Sequence, residues 1–503
     1  MNGPPGARDR HARSIPQATK GAPSLGLPGS RSAVVIGAGL AGVAAAVVLA
    51  ERGVKVEMHE AGPVLGGRVS SWPDLVGGHD VSMERGFHAF FRQYYNVRAL
   101  LRRVDPGLRS LRAVADYPLI GPDGASESFA GLPRRPPLNL AALIKRTPTL
   151  GLRDLRAMDG KVAAEMLAFD GSVTYERYDA MSAAEFLDDV GFPTDARRML
   201  FEVFAHSFFN PEQSMSAAEM LMMFHLYFLG TSEGLLFDVL DEPFDDALWR
   251  PLRRYLENRG VVIHTGSAIV TWTDPERIDG LVLALPVRPL QKVVAANPWL
   301  GTSSWRDDVS ALQPAPPFAV WRLWLDRPVR PERAPFAGTA GIGVIDNISV
   351  VDRYQGEAHR WALRTGGAVI ELHAYALAPE YASDDARTKR ELLGSLHLLY
   401  PETRTARILD DRYLVRDDCP GFAPGSWARR PGVLVPMPKA PLLPTVAVAG
   451  DVVKLPFPTA LMERADASGF MAANHLLGQW GVQPERVWSI RPTGLLTRFQ
   501  HRS

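Results

Sequence analysis

Three glycines, a glutamate and an arginine are the first residues of this chain whose types and spacing could do chemistry together. Gly37, Gly39 and Gly42 stand in the GxGxxG spacing. In such a turn the first glycine permits the sharp bend and the second lets the backbone approach a pyrophosphate. The third lets a helix pack close to a sheet. Glu60 lies 18 residues (60 − 42) beyond Gly42, where a carboxylate accepts hydrogen bonds from ribose hydroxyls. It would repel a phosphorylated ribose, so NADP is not expected. Gly66, Gly67 and Arg68 follow, suited to a second approach to the pyrophosphate with a charge-assisted contact from the guanidinium. Taken alone, GxGxxG also occurs in unrelated glycine-rich turns, and a lone arginine is often a solvated surface residue.

The elements around these residues decide between the readings. Residues 33–36 are a β-branched run, and residues 43–50 are small and suited to a helix. A turn at residues 51–53 leads to alternation over residues 54–60. Strand, tight turn, helix and strand put the phosphates at a helix N-terminus, where free N–H groups and a partial positive charge await them. Leu40 and Ala41 open that helix and Ala61 follows the acidic residue, so all three belong to the expected contact surface. The same 18 apolar residues, 33–50, could be read as a membrane span, but three glycines make a poor continuous helix.

Further along, residues 446–449 read as a buried strand ending in Gly450 and Asp451, a turn at the carboxyl edge of a sheet. Pro458 and Thr459 are expected to open a helix, with Thr459 as its N-cap. Residues 244–260 form an amphipathic helical pattern ending in glycine, and residues 261–265 and 279–286 read as strands.

Composition narrows the class. The chain has 503 residues, 46% hydrophobic and 22% charged, enough for two intertwined domains. A net charge of +1 gives no bulk attraction to nucleic acid, so no nucleic-acid partner is expected. The single cysteine, Cys419, excludes a disulfide framework and a cysteine-based metal site. There is no HExxH pattern, and His59-Glu60 has no second histidine in register, so no metal is expected. No nucleophile elbow is evident. Residues 1–32 lack the apolar core of a secretory signal and read as a disordered leader.

The block from Glu60 to Arg68, together with residues 446–451 and 457–469, resembles the flavin-containing amine oxidase superfamily, which includes the carotenoid desaturases. The resemblance implies FAD as cofactor and an α/β fold of amine oxidase or phytoene desaturase type. In that fold a Rossmann-type FAD-binding domain carries an inserted α+β substrate-binding domain. The FAD domain would comprise residues 33–115, 244–303 and 433–480. The substrate domain would comprise residues 116–243 and 304–432, and residues 481–503 a C-terminal tail. By resemblance, Gly450 and Asp451 contact the ribityl chain or pyrophosphate, and the backbone at Leu461 and Met462 faces the flavin pyrimidine ring. Ile269 and Val270 match the adenine contact. Only about a dozen residues separate the two strands there, so the hairpin that relatives carry is short or absent.

The substrate side is dense in Met, Phe and Leu over residues 199–209 and 220–229. Such segments are either a buried helix pair or the wall of a lipid-accepting tunnel, or both on opposite faces. The same surface would suit one-sided membrane attachment, giving a cytoplasmic, peripherally bound protein. Residues 84–98 and 221–237 resemble the actinobacterial isorenieratene synthases, which are carotene desaturase/methyltransferases. That resemblance implies a carotene substrate whose β-ionone end rings become aromatic. It also leaves room for a quinone as electron acceptor. Hydride loss, a methyl shift and proton loss need a dry pocket and a proton acceptor. Candidate acceptors are Glu84, His88, His206 and His225. Many relatives carry aspartate at the Glu84 position, and Glu84 could instead pair with Arg85 or Arg92. Other readings within the fold are a linear carotene, squalene or protoporphyrinogen oxidase. A non-enzymatic prenyl-lipid binder of the Rab escort kind would need neither Arg68 nor Asp451.

Overall fold

Burial on both faces makes the first strand and helix what they are. In the computed structural model, which describes residues 11–17, 21–122, 124, 126–133, 135–147, 151–231, 233–438 and 443–497, residues 33–50 are a strand followed by a helix. The strand is β1 (Ser32–Ile36) and the helix α1 (Leu40–Glu51). Every α1 residue from Leu40 to Ala50 is buried, as its lack of polar side chains requires. Four more strands complete a parallel sheet: β2 (Lys55–His59), β3 (Val262–His264), β4 (Gly280–Leu283) and β5 (Thr445–Val448). Their order is β3-β2-β1-β4-β5, so the middle strand is the first of the five in the chain; β2 follows it at once on one side, and β4 arrives much later on the other. Among the described residues, no helix is long and apolar enough to cross a membrane.

The long helix α2 (Leu461–Gln479) lies against α1. Small residues allow the approach: a Cβ added at Gly469 would sit 2.2 Å from the Ala41 carbonyl oxygen. Between β3 and β4 the chain makes only a short 3₁₀ turn, Pro275–Arg277, so the hairpin of relatives is absent.

A second sheet of seven strands forms the other layer. At one side of it the edge strand Ile408–Arg416 pairs antiparallel with Phe318–Leu325, which pairs antiparallel in turn with Ala368–Ala374. Helices between residues 138 and 229 stand beside it, and two of them contain a wide π turn. Arg198–Glu202 leads into Val203–Ser207, and Ala217–Phe224 leads into His225–Leu229. The helix expected over residues 244–260 likewise opens with a π turn, Asp245–Trp249, before Arg250–Glu257.

The N-terminal segment departs from the expected disordered leader. Arg13–Ser14 pairs antiparallel with Trp488–Ser489, and Ala22 bridges Val482. The tail thus supplies a partner strand from the far end of the chain. Residues 1–10 and 18–20 lie outside the described residues.

Candidate active site

The glycine turn closes where the spacing placed it. Gly37 has φ +98°, and a Cβ there would meet the Ala284 carbonyl oxygen at 2.2 Å. A Cβ at Gly42 would meet the Gly37 oxygen at 1.9 Å, so this helix turn packs backbone on backbone. Gly39 differs: nothing lies within 3.8 Å of an added Cβ, the nearest atom being at 3.9 Å. It is the N-cap of α1, and no side chain bonds to the helix end. Open space over uncapped N–H groups is what a pyrophosphate requires. Glu60 does more than wait for a ribose. Its carboxylate accepts from the Ala38 and Gly62 N–H groups, each at 2.8 Å, and so fastens both turns. Two of its lone pairs remain for hydroxyls. Ala61 is exposed beside it, and Val270 is exposed with its carbonyl accepting from Asn297.

The second glycine pair is stitched to the first. The Gly66 N–H donates to the Ala38 carbonyl at 2.8 Å, and the Trp249 indole N–H donates to Val69 at 2.7 Å. Arg68 emerges from this turn and meets Asp451 in a two-pronged ion pair, at 2.8 and 2.5 Å. The two sequence signatures, 383 positions apart, are therefore one structural unit. Burial pushes the Cys419 thiol up to about 12, against the nearby Arg68 charge, so it is no nucleophile.

The start of α2 corrects one expectation. The N-cap is Ala460, not Thr459, and no side chain caps the helix. The Thr459 hydroxyl is buried with no partner among the described residues, and Leu461 takes φ +49°. An unpartnered hydroxyl next to a strained, uncapped helix start fits a polar ring held against this backbone. The residues present therefore fit a flavin dinucleotide from the α1 end to the α2 end.

Glu84 is buried but pairs with neither Arg85 nor Arg92. Those two bond to Asp418 and Asp238. Glu84 accepts from Arg322 at 3.2 Å, Gln355 at 2.8 Å and the Phe244 N–H at 2.9 Å. Arg322 is shared with Glu371, which it reaches at 2.8 Å. Burial alone would raise both carboxyls. Arg322 and His373 outweigh it at Glu371 and hold that group at about 2. At Glu84 burial wins and the carboxyl is raised. His373 Nε2 is 2.8 Å from Glu371 and its Nδ1 2.7 Å from the Tyr375 hydroxyl.

The three histidines are held differently. His88 Nδ1 lies 2.8 Å from the Gly86 carbonyl, which can only accept, so Nε2 keeps its lone pair. Burial lowers His88 to about 4, and its ring stands edge-on to Phe244. His225 gives its Nε2 hydrogen to Arg491 at 2.7 Å and stacks on Phe169, and burial lowers it to about 4. His206 Nδ1 lies 2.9 Å from Asp346.

A cavity of about 210 Å³ lies among the helices. Met220, Met223, Phe224 and Phe228 face it from one helix, and Phe201, Ala205 and Phe208 from the other. Leu221, Met222 and Leu226 are buried without lining it, so these segments pack as buried helices on one face and form cavity wall on the other. Phe208 lines the cavity, while Phe209, at φ +61°, packs on Phe318 and Tyr375. One turn thus joins the cavity wall to the cluster around Cys419.

Sequence reasoning missed Arg322, Glu371 and His373. It also missed a buried network in which Glu219 bonds Arg430, Arg464 and Tyr175. The available signal was a charge inside an otherwise apolar strand, as in Phe318–Leu325 and Ala368–Ala374.

Comparison with known proteins adds the family. The chain is 49% identical over 501 residues to the carotenoid phi-ring synthase of Streptomyces griseus, covering 97% of this chain and 95% of that one. It is 26% identical to the carotenoid phi-ring synthase of Chlorobaculum tepidum, covering 92% and 91%. In fold it is similar to an oxidoreductase from Methanosarcina mazei, with a TM-score of 0.60 at 18% identity, covering 88% and 99%. Residues 40–477 match the model for flavin containing amine oxidoreductase. With both glycine turns, the Arg68–Asp451 pair and that match in hand, the chain belongs to the flavin-containing amine oxidoreductase family.

Proposed function

We propose that this protein is an FAD-dependent enzyme that aromatises the β-ionone end rings of a carotenoid, moving one methyl group as it does so. The observation that carries this reading is an apolar cavity whose wall helix, through Glu219 next to Met220, bonds Arg464 of α2, the helix that opens at the flavin site. Its likeness to carotenoid phi-ring synthases supports the substrate class. FAD, when bound, supplies hydride acceptance. In this reading residues 33–115, 244–303 and 433–480 hold the cofactor, and residues 116–243 and 304–432 hold the substrate.

The ring must lose four hydrogens, and a geminal dimethyl carbon blocks full conjugation. Hydride loss leaves a cation next to that carbon, the methyl shifts and a proton leaves; loss of a second hydride and a second proton completes the four hydrogens. The Met and Phe walls orient the ring and exclude water, which would otherwise trap the cation. The proton acceptor is His88, which offers a neutral imidazole with a free lone pair at Nε2. Glu84 is an anchor instead, since both its oxygens already accept hydrogen bonds. A quinone takes the electrons onward.

Membrane attachment belongs to the same reading. Residues 134–161 carry seven basic side chains against two acidic ones. Lys145, Arg153, Arg156 and Lys161 are exposed, as is Leu138 at 58%. The same stretch lends Leu140, Leu143, Ile144 and Met158 to the cavity wall. A basic rim around an apolar entrance suits an anionic bilayer that delivers a carotene.

The test is expression in a bacterial host that accumulates β-carotene, with mass spectra of the pigments. The expected product has lost four hydrogens per end ring at constant carbon count. Unchanged β-carotene alongside bound FAD would overturn the ring chemistry and turn attention to linear carotenes.

A further inference from the structure

His59 has no histidine partner in its own strand, but the fold supplies one from 205 positions (264 − 59) further along. Parallel pairing of β2 and β3 sets His59 beside His264. Side chains alternate along a strand, so Glu57 and His59 share a face. The two imidazoles stack with centroids 4.7 Å apart and planes 18° from parallel. Both Nε2 atoms converge on one oxygen, Glu57 Oε1, at 3.2 Å from His59 and 3.0 Å from His264. The three ligand atoms all lie within 4.8 Å of one another. Behind His59, Nδ1 is 2.9 Å from the Ser267 hydroxyl.

We propose that Glu57, His59 and His264 form a binding site for a divalent transition-metal ion of the zinc class, with water as a fourth ligand. Bonds of about 2.0–2.1 Å in a tetrahedron put ligand atoms roughly 3.3 Å apart. Two of the three edges already stand at 3.2 and 3.0 Å. The third closes by rotation of partly exposed side chains, since Glu57 and His264 are 48% and 42% exposed. Two imidazoles and a carboxylate suit zinc, cobalt, nickel or copper, and suit magnesium or calcium poorly. Each imidazole would ligate through Nε2 with its hydrogen on Nδ1, and at His59 the Ser267 hydroxyl is placed to accept that hydrogen.

The site has a place in the molecule as well as a geometry. The Glu60 N–H donates to the His264 carbonyl at 2.8 Å, and the Ser267 N–H donates to the Glu60 carbonyl at 2.8 Å. A metal there clamps edge strand β3 onto the strand that presents Glu60, at the corner where the nucleotide is held. Because the ion binds the folded chain, it stabilises that corner by mass action. This goes beyond the redox reading and does not depend on it.

The test is calorimetric titration of tag-free, flavin-loaded protein, stripped with chelator, first with zinc chloride and then with magnesium chloride. One zinc per chain, a rise in thermal midpoint with zinc and no response to magnesium are expected. Ser267→Ala should weaken zinc binding about ten- to hundred-fold, the usual cost of losing an outer partner. His264→Ala and Glu57→Gln, both at partly exposed positions, should each remove the binding while flavin absorbance is retained. A wild-type zinc isotherm in His264→Ala, or no zinc uptake by the unmodified protein, would overturn the proposal.

Discussion

At the scale of single residues, what matters is which polar atoms are spent and which are left over. Glu84 is spent: three donors reach it, one of them a guanidinium shared with Glu371. His88 is not: among the described residues its ring bonds through Nδ1 alone. Removing His88 should therefore stop proton removal without touching the cofactor. His88→Ala is expected to lower aromatic product by about a hundredfold or more, the usual size of a general-base contribution. Pigment analysis checks the product, and the flavin spectrum of the purified variant should be unchanged. Equal product from His88→Ala would move the role to another group. The glycine turns and the placing of Glu60, Arg68 and Asp451 at them were legible in the sequence because they rest on backbone geometry at fixed local spacing. Arg322, Glu371 and His373 were not, because their partners come from strands paired across long stretches of chain. A sequence shows a charge in an apolar strand but not what neutralises it.

Among the elements, the contact of α1 with α2 sets the spacing of the nucleotide end. Its closeness depends on absent side chains. At Gly469 an added Cβ would lie 2.2 Å from the Ala41 oxygen and 2.9 Å from the Ala44 Cβ. Gly469→Val should push the helices apart and cost about 1–3 kcal/mol or more, the range for overpacking a full core. Urea unfolding should show a lower midpoint, and the purified variant should hold less flavin. An unaltered midpoint would mean that the helices separate without strain. Both helices were foreseen, as was the missing hairpin between β3 and β4. The cap expected at Thr459 is absent, the N-cap being Ala460: a threonine before an apolar run has the same pattern whether or not its hydroxyl caps the helix. The N-terminal pairing of Arg13–Ser14 also escaped notice, because two residues carry no periodicity and the partner strand lies at the opposite end of the chain.

For the molecule as a whole, a near-zero net charge hides an uneven distribution. The formal total is +1, yet residues 134–161 alone hold seven basic and two acidic side chains. Sedimentation with vesicles checks what this does. Binding to phosphatidylglycerol vesicles at low salt is expected, with little binding to phosphatidylcholine. Charge reversal at Lys145, Arg153, Arg156 and Lys161 should abolish it, as each basic group near an anionic surface contributes about 1 kcal/mol. Equal binding to both vesicle types would point to purely apolar insertion.

The Arg68–Asp451 pair also sets a timetable. The two residues are 383 positions apart, and strands β4 and β5 that complete the sheet around β1 are delivered late as well. A ribosome working at about 5–20 residues per second makes Asp451 roughly 20–80 s after Arg68. Through that interval the growing chain carries an arginine without its carboxylate and a central strand open along one edge. Capture of the cofactor thus waits for residue 451 to be made, and a chain cut short anywhere before it leaves the ribosome without half of its grip.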